Sequence, residues 1–420
     1  MMQPILIQGV TLDGAATDIL IADRRIAAID PGLAAPTGAV VIDARRMAAF
    51  PTFANMHTHA AMTLLKGLGS DQPLHRWLND SIWPAERRLD ADAVYWGVKL
   101  ACLEMIKSGT TMFNDMYFLL PSAARAVAEM GLRATLGVNV FGDGDDLTDE
   151  AFLRLRHAVE GAGGLLQLAI APHSVYTVTP KGLRHCADMC RRHGVRYHIH
   201  MSETEREVEE CRHQHGCRPY ALLERLGVLE QVEGRCIGAH SLFLDSEEID
   251  ILGRRQVAVV HNPASNLKLG SGYRFLYSEL RQAGVTVALG TDGSASSNNL
   301  DMAEAARLMA YLQKGFRQDP TVLPVQELCG VATENGYRAL GIDAGSIRVG
   351  RLADLMLVDL DNIAFLPPHD NTAALFYAAH GDAVDTVICN GRILMRHRRV
   401  DGEEEIREQA CRYAASLRRS

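Results

Sequence analysis

The residues best suited to chemistry in this chain are histidines and acids that fall at the ends of apolar runs. His57-Thr58-His59 follows one such run, His173 another, and His200 with Glu203 a third, while His240, His261 and Asp292 each close one more. Residues i and i+2 of a strand point the same way, so the His57 and His59 imidazoles can reach one ion. A third nitrogen from His200 and one carboxylate oxygen from Asp292 complete an N3O shell. That shell suits a divalent metal, Zn(II) or Fe(II), with an open position for water. Such an ion lowers the pKa of its water to about 7 and supplies hydroxide at neutral pH. The fifth strand offers two claimants, because His198 and His200 share one face. HxH alone is a weak signal, but HxH with a strand-end histidine and a strand-end aspartate in this order is specific.

Such distant residues need elements that converge. Apolar runs at 48–54, 110–113, 134–140, 165–171, 195–199, 235–238, 257–260 and 285–289 are mostly separated by helical stretches such as 90–107, 121–130, 180–193 and 204–226. Eight β runs in βα order predict a (β/α)8 TIM barrel, whose strands all open their C-terminal ends onto the face where active sites sit. The competing arrangement, an open doubly wound sheet, usually carries a GxGxxG turn after its first strand. Here that turn reads His57-Thr58-His59. The first fifty residues read as short strands (5–10, 18–21, 25–29, 39–42) broken at Gly9, Asp13-Gly14 and Pro31-Gly32. The tail repeats that texture with a strand at 353–360, a hairpin at 385–395 turning on Asn390-Gly391, and a last helix at 403–418. The expected organisation is a barrel over residues 51–344 and a small β-sandwich domain built from 1–50 and 345–420.

Composition narrows the class of function. The chain has 420 residues, net charge -8, 47% hydrophobic and 22% charged residues, which excludes a disordered, collagenous or small disulfide-stapled protein. The acidic balance argues against nucleic acid as the main partner, since a phosphate-binding face needs concentrated Lys and Arg. The first residues carry no basic start and no long apolar stretch, so no signal peptide is expected. No run of ~18 apolar residues predicts a membrane span. Nine cysteines, an odd number spread from Cys102 to Cys411, suit a reduced cytoplasm. Cys186 with Cys190, and Cys211 with Cys217, lack CxxC spacing and read as buried or idle thiols.

Long blocks carry a family likeness. They are Pro51-Thr52-Phe53-Ala54-Asn55-Met56-His57-Thr58-His59, Ala171-Pro172-His173-Ser174, His198-Ile199-His200-Met201-Ser202-Glu203-Thr204, His261-Asn262-Pro263-Ala264-Ser265-Asn266-Leu267-Lys268 and Gly290-Thr291-Asp292-Gly293. Over nearly its whole length the sequence resembles the amidohydrolase superfamily, and within it the aminohydrolases typified by 5′-methylthioadenosine/S-adenosylhomocysteine deaminase. The resemblance implies that His57, His59, His200 and Asp292 are the metal ligands, which leaves His198 to packing. It implies that Glu203 shuttles protons to a ring nitrogen and to departing ammonia. His240 would hydrogen-bond the metal-bound hydroxide, and Asp292 would take its proton. By the same likeness His173 touches the substrate, Trp77 covers the purine nucleoside and Glu86 binds ribose hydroxyls. Ser296 and Asn299 are weaker substrate candidates, and His261 is structural. A homo-oligomer is also implied.

Two absences shape the expected reaction. Relatives with two metals usually need a lysine at the end of the fourth strand, and residues 165–173 contain none, so one metal is expected. Some relatives read a homocysteine carboxylate with arginines after the third strand. This chain has Gly142-Asp143-Gly144-Asp145-Asp146 there, with Arg133 at the other end of the strand. An acidic loop repels a carboxylate. The expected substrate is therefore a small-molecule adenine nucleoside, with 5′-methylthioadenosine, 5′-deoxyadenosine or adenosine favoured over S-adenosylhomocysteine. The rival with the same chemistry is a deaminase of guanine, 8-oxoguanine, a pterin or an s-triazine. A non-catalytic scaffold on this fold is disfavoured because the full ligand set is present.

Overall fold

The computed structural model describes residues 2–161 and 164–418, and its strands follow the apolar runs. Five come first: β1 Ile5–Leu12, β2 Ala15–Ala22, β3 Arg25–Asp30, β4 Val40–Asp43 and β5 Met47–Pro51. Eight follow in βα order: β6 Phe53–Thr58, β7 Thr110–Tyr117, β8 Arg133–Val140, β9 Leu166–Pro172, β10 Arg196–Met201, β11 Cys236–His240, β12 Ala258–His261 and β13 Thr286–Leu289. The last three are β14 Leu355–Asp359, β15 Val384–Cys389 and β16 Arg392–Met395.

Strands β6 to β13 pair in sequential order, all parallel, and form the wall of the (β/α)8 barrel. Parallel strands covered on both faces must be apolar or internally satisfied throughout, and β6 and β7 are buried at every position. Among the described residues no backbone ladder joins β13 to β6. Side chains close that seam instead: Asn55 Nδ2 donates to Thr291 Oγ1 at 2.7 Å, and Asn55 Oδ1 accepts from the Thr291 amide at 3.0 Å. The Asp292 amide then donates to the His57 carbonyl at 2.9 Å. Two of the three strands whose ends carry metal-ligand candidates are thus locked at the site itself.

The termini build the second sheet, in the order β16-β15-β14-β5-β1-β2-β3 with β4 on β1. The expected β-sandwich is one continuous hydrogen-bonded network that forks at β1. Ile5 to Gln8 pair with β4, a bulge follows Ile7, and Thr11 pairs with β5. Ile7, Ile19, Leu355 and Ile388 belong to a separate apolar core under this sheet. One run of the sequence divides between the two sheets. The single strand expected at 48–54 splits at Thr52, so β5 pairs antiparallel with β14 while β6 enters the barrel. Pro51 has no N–H to continue a ladder. The helix expected at 204–226 also divides, into Glu205–His215 and Pro219–Arg225. Gly216 in a left-handed C-cap and Pro219 at a helix start explain that break. The final helix, Glu403–Arg418, is where the sequence puts it. Among the described residues no helix is long and apolar enough to cross a membrane.

Candidate active site

Every candidate ligand sits at the C-terminal mouth of the barrel, delivered by the ends of three strands, β6, β10 and β13, or the loops that follow them. His57 is inside β6 and fully buried, and His59 follows one residue past it. His200 lies in β10 at the level of Ala239 in β11, one step before His240 pairs with Met201. Asp292 follows β13. His57 Nε2 and His59 Nε2 stand 3.5 and 3.2 Å from Asp292 Oδ1, and His59 Nε2 is 3.4 Å from His200 Nε2. Ligands ~2.0–2.1 Å from a tetrahedral ion stand about 3.3–3.4 Å apart. These spacings match. His57 Nε2 has no hydrogen-bond partner although it is buried, which a metal bond would remedy. The donor set and the orphaned nitrogen both fit a divalent ion.

Close packing around the cluster depends on the Gly290-Thr291-Asp292-Gly293 block. A Cβ on Gly290 would fall 2.4 Å from Asn262 Oδ1 and 2.9 Å from His57 Cβ, and one on Gly293 would fall 2.5 Å from Met62 Sδ. Asp292 and His240 hold left-handed backbone at φ 64° and 71°. Such conformations are strained for non-glycine residues and cluster at functional sites.

Hydrogen bonds to the far side of each ring set its tautomer. His59 Nδ1 donates to the Met116 carbonyl at 2.6 Å and His200 Nδ1 to the His173 carbonyl at 2.7 Å, so both Nε2 lone pairs face the cluster. His57 Nδ1 lies 3.0 Å from His198 Nε2. His198, read from sequence as packing, therefore touches a ligand candidate. His240 is different. Its Nδ1 accepts from Asn266 Nδ2 at 2.9 Å, which makes Nε2 the N–H, a donor and not a ligand. Proximity alone gives two triads that share His57, one with His59 and Asp292 and one with His200 and His240, each within 4.8 Å; the tautomer sets His240 apart from the ligand candidates.

Charge follows the same plan. Burial pushes His57 down to about 4 and His200 well below the ordinary imidazole value. Burial also opposes a charge on His59, but Asp292 outweighs it and lifts His59 to about 9. A field that holds a proton on His59 equally favours a cation among these nitrogens. Asp292 stays ionised, well below the usual carboxylate range, because His57 and His59 overcome its burial. Its outer oxygen, Oδ2, accepts from Ser265 Oγ at 2.6 Å and Ser296 Oγ at 3.0 Å. Ser296, expected among substrate contacts, is thus committed to Asp292 behind the cluster.

Glu203 faces the cluster with Oε2 3.9 Å from His240 Nε2, while Oε1 accepts from Ser271 Oγ at 3.2 Å. Burial, with Asp292 adding to it, raises the Glu203 carboxyl to about 8. Its backbone is held by a second buried acid: Glu207 accepts from the Ser202 and Glu203 amides, each at 2.8 Å. Thr204 caps the same helix by accepting from the Glu207 amide at 3.1 Å, so the capping residues also set the position of Glu203.

Over the cluster lies a cavity lined by His173, Trp77 and Glu86, as the sequence predicts, and by Tyr117, Phe118, Asn139, Phe141 and Tyr176. The last five were not singled out from sequence. Tyr117 and Asn139 fall at strand ends, the same signal that picked the histidines, but hydroxyl and amide residues are too common to stand out. Burial raises Glu86 above the ordinary carboxyl value, against the pull of the Tyr117 hydroxyl and of His59. Trp77 is buried and donates Nε1–H to the Leu68 carbonyl at 3.3 Å. Asn299 donates to Glu304 and takes no part in the lining. His261 stacks on Phe275 with centroids 4.2 Å apart, a packing role.

A parallel barrel that gathers histidines and one aspartate at its mouth, beside a raised carboxyl, defines a metal-dependent hydrolase. The amidohydrolase family model matches residues 48–394, and the chain belongs to that family. It is 47% identical over 382 residues to the 5′-deoxyadenosine deaminase of Methanoregula boonei, covering 90% of this chain and 86% of that one. It is 45% identical over 397 residues to the 5-methylthioadenosine/S-adenosylhomocysteine deaminase of Moorella thermoacetica, covering 92% of both. Among solved structures, the zinc-bound adenosine deaminase of Xanthomonas campestris superposes with a TM-score of 0.92 at 32% identity and 99% coverage of each chain.

Proposed function

We propose that this enzyme hydrolytically deaminates an adenine nucleoside, replacing the C6 amino group with oxygen and releasing ammonia. The observation that carries the proposal is the pairing of Glu203, raised to about 8 and facing His240, with an N3O cluster in one cavity. A divalent ion held by His57, His59, His200 and Asp292 supplies an activated water. Zn(II) is the proposed ion, with Fe(II) the alternative.

The chain's own residues do the rest. A carboxyl that is protonated at neutral pH is poised to protonate the ring nitrogen beside C6, and as carboxylate it can carry a further proton to the departing amine. His240 Nε2–H is placed to hold the attacking oxygen. Glu86, half-buried in the cavity lining beside the Tyr117 hydroxyl, is suited to ribose hydroxyls, and Trp77 to the purine face. The relatives' names favour adenine nucleosides over guanine, pterin or triazine rings. A cytoplasmic location is proposed on nine cysteines, all free, and a homo-oligomer on family likeness, testable by light scattering.

Ammonia release by metal-replete protein tests the reading against 5′-deoxyadenosine, 5′-methylthioadenosine, adenosine, S-adenosylhomocysteine, guanine, a pterin and an aminotriazine. Turnover concentrated on adenine nucleosides is expected; turnover only of another ring refutes the substrate assignment. His200→Ala and Asp292→Ala should each lose the metal, and elemental analysis decides between Zn and Fe. Glu86→Ala should raise KM chiefly for substrates with free ribose hydroxyls.

A further inference from the structure

We infer that Phe118 and Phe141 form the wall that receives the nucleoside's 5′ substituent and that they select an uncharged, apolar one. The inference rests on the adenine nucleoside reading above. Three rings run outward from the cluster. The His173 centroid lies 4.8 Å from that of His200, Phe141 stacks on His173 at 5.0 Å with planes 25° apart, and Phe118 stacks on Phe141 at 6.4 Å and 13°. His200 is buried, whereas Phe141 and Phe118 are 43% and 41% exposed. Burying an aromatic ring is favourable, so two adjacent aromatics left open at a cavity mouth point to a ligand that covers them.

Backbone strain supports the same assignment. Leu119, between Phe118 and the helix Leu120–Met130, is left-handed at φ 53°. A leucine there is an outlier, and the turn it makes ends β7 with Phe118 on the cavity lining. Phe118 also follows Tyr117, the residue whose hydroxyl faces Glu86, so the proposed ribose ligand and the wall are neighbours.

Electrostatics decide which substituent fits. Glu86, Glu203 and Asp292 line the cavity, and among the described residues no lysine or arginine does. The cation beside the loop after Phe141 is Lys181, and Asp143 and Asp145 each hold its Nζ at 3.0 Å. That pairing tempers the repulsion expected from the acidic loop and keeps the Lys181 ammonium engaged there. A carboxylate set against this wall would shed water with no counter-charge, whereas a methyl or methylthio group gains apolar contact.

The test is kcat/KM for 5′-methylthioadenosine, adenosine and S-adenosylhomocysteine with wild type, Phe118→Ala, Phe141→Ala and Phe141→Arg, all metal-replete. Metal content and Tm should stay at wild-type values, because both positions are exposed. In the alanine variants the preference for 5′-methylthioadenosine over adenosine should fall about tenfold. Phe141→Arg should raise S-adenosylhomocysteine relative to 5′-methylthioadenosine by about tenfold or more. Parallel loss on all substrates, or a changed oligomeric state with unchanged ratios, overturns the wall while leaving the reaction intact. A wild type inactive on every adenine nucleoside overturns the reaction itself.

Discussion

The two ends of the barrel bury charge in opposite ways. At the N-terminal end, Arg133 opens β8 and donates Nε–H to Asp354 at 2.7 Å and Nη2–H to Asn390 at 2.7 Å, and the Asn390 amide donates to Asp354 at 2.6 Å. That network ties the barrel to the terminal sheet and satisfies itself. At the C-terminal end, His57 Nε2 and Asn139 Oδ1 are buried without partners. An unpaired buried polar atom is costly unless something outside the chain completes it. One end spends its polar groups on cohesion and the other holds them for an ion and a substrate.

From that contrast, the largest effect comes from the open end and should spare stability. Glu203→Gln should keep metal and Tm but lower kcat by ~10²–10⁴-fold, measured as ammonia release; full activity would remove Glu203 from the chemistry. At the closed end the signs reverse. Asp354→Ala strands Arg133 and should cost about 3–5 kcal/mol in denaturant unfolding, with kcat per folded molecule unchanged.

Between these extremes lies His198. It sits at the open end yet acts through His57, so His198→Ala should weaken metal binding by about 10–100-fold, read by chelator competition. Unchanged affinity would return it to packing.

The smallest effect concerns Glu207, which burial raises to about 8 although backbone amides pull the other way. Its folded pKa lies above the unfolded value, so the folded state holds the extra proton. The stability this contributes is complete below the unfolded pKa and is lost as pH rises through about 8. Metal-free wild type should therefore lose more Tm between pH 6 and 9 than Glu207→Gln, by a few degrees. Equal losses would show that the Glu207 carboxyl does not titrate in that window.

Much of this was legible in the residues. Apolar runs ending in histidine or aspartate disclosed both the strands and the four ligand candidates, because a buried parallel strand leaves polar residues only where it exits. The split at Thr52 was not legible. The run from 48 to 54 is continuously apolar, and only Pro51 hints that its halves serve different sheets. Phe118 and Phe141 were likewise invisible, since an aromatic at a strand end looks like core until its exposure is seen.

The sequence by itself determined the types of the candidate ligands, their order along the barrel and the βα alternation that carries them, since these depend on residue identity and local periodicity. Tertiary structure alone decided the tautomers. His59 and His200 offer Nε2 because carbonyls from neighbouring strands take Nδ1–H, and His240 becomes a donor because Asn266 takes its Nδ1 as acceptor. Two histidines of identical chemistry differ in role through what packs behind them, and that is set by contacts between residues far apart in the chain.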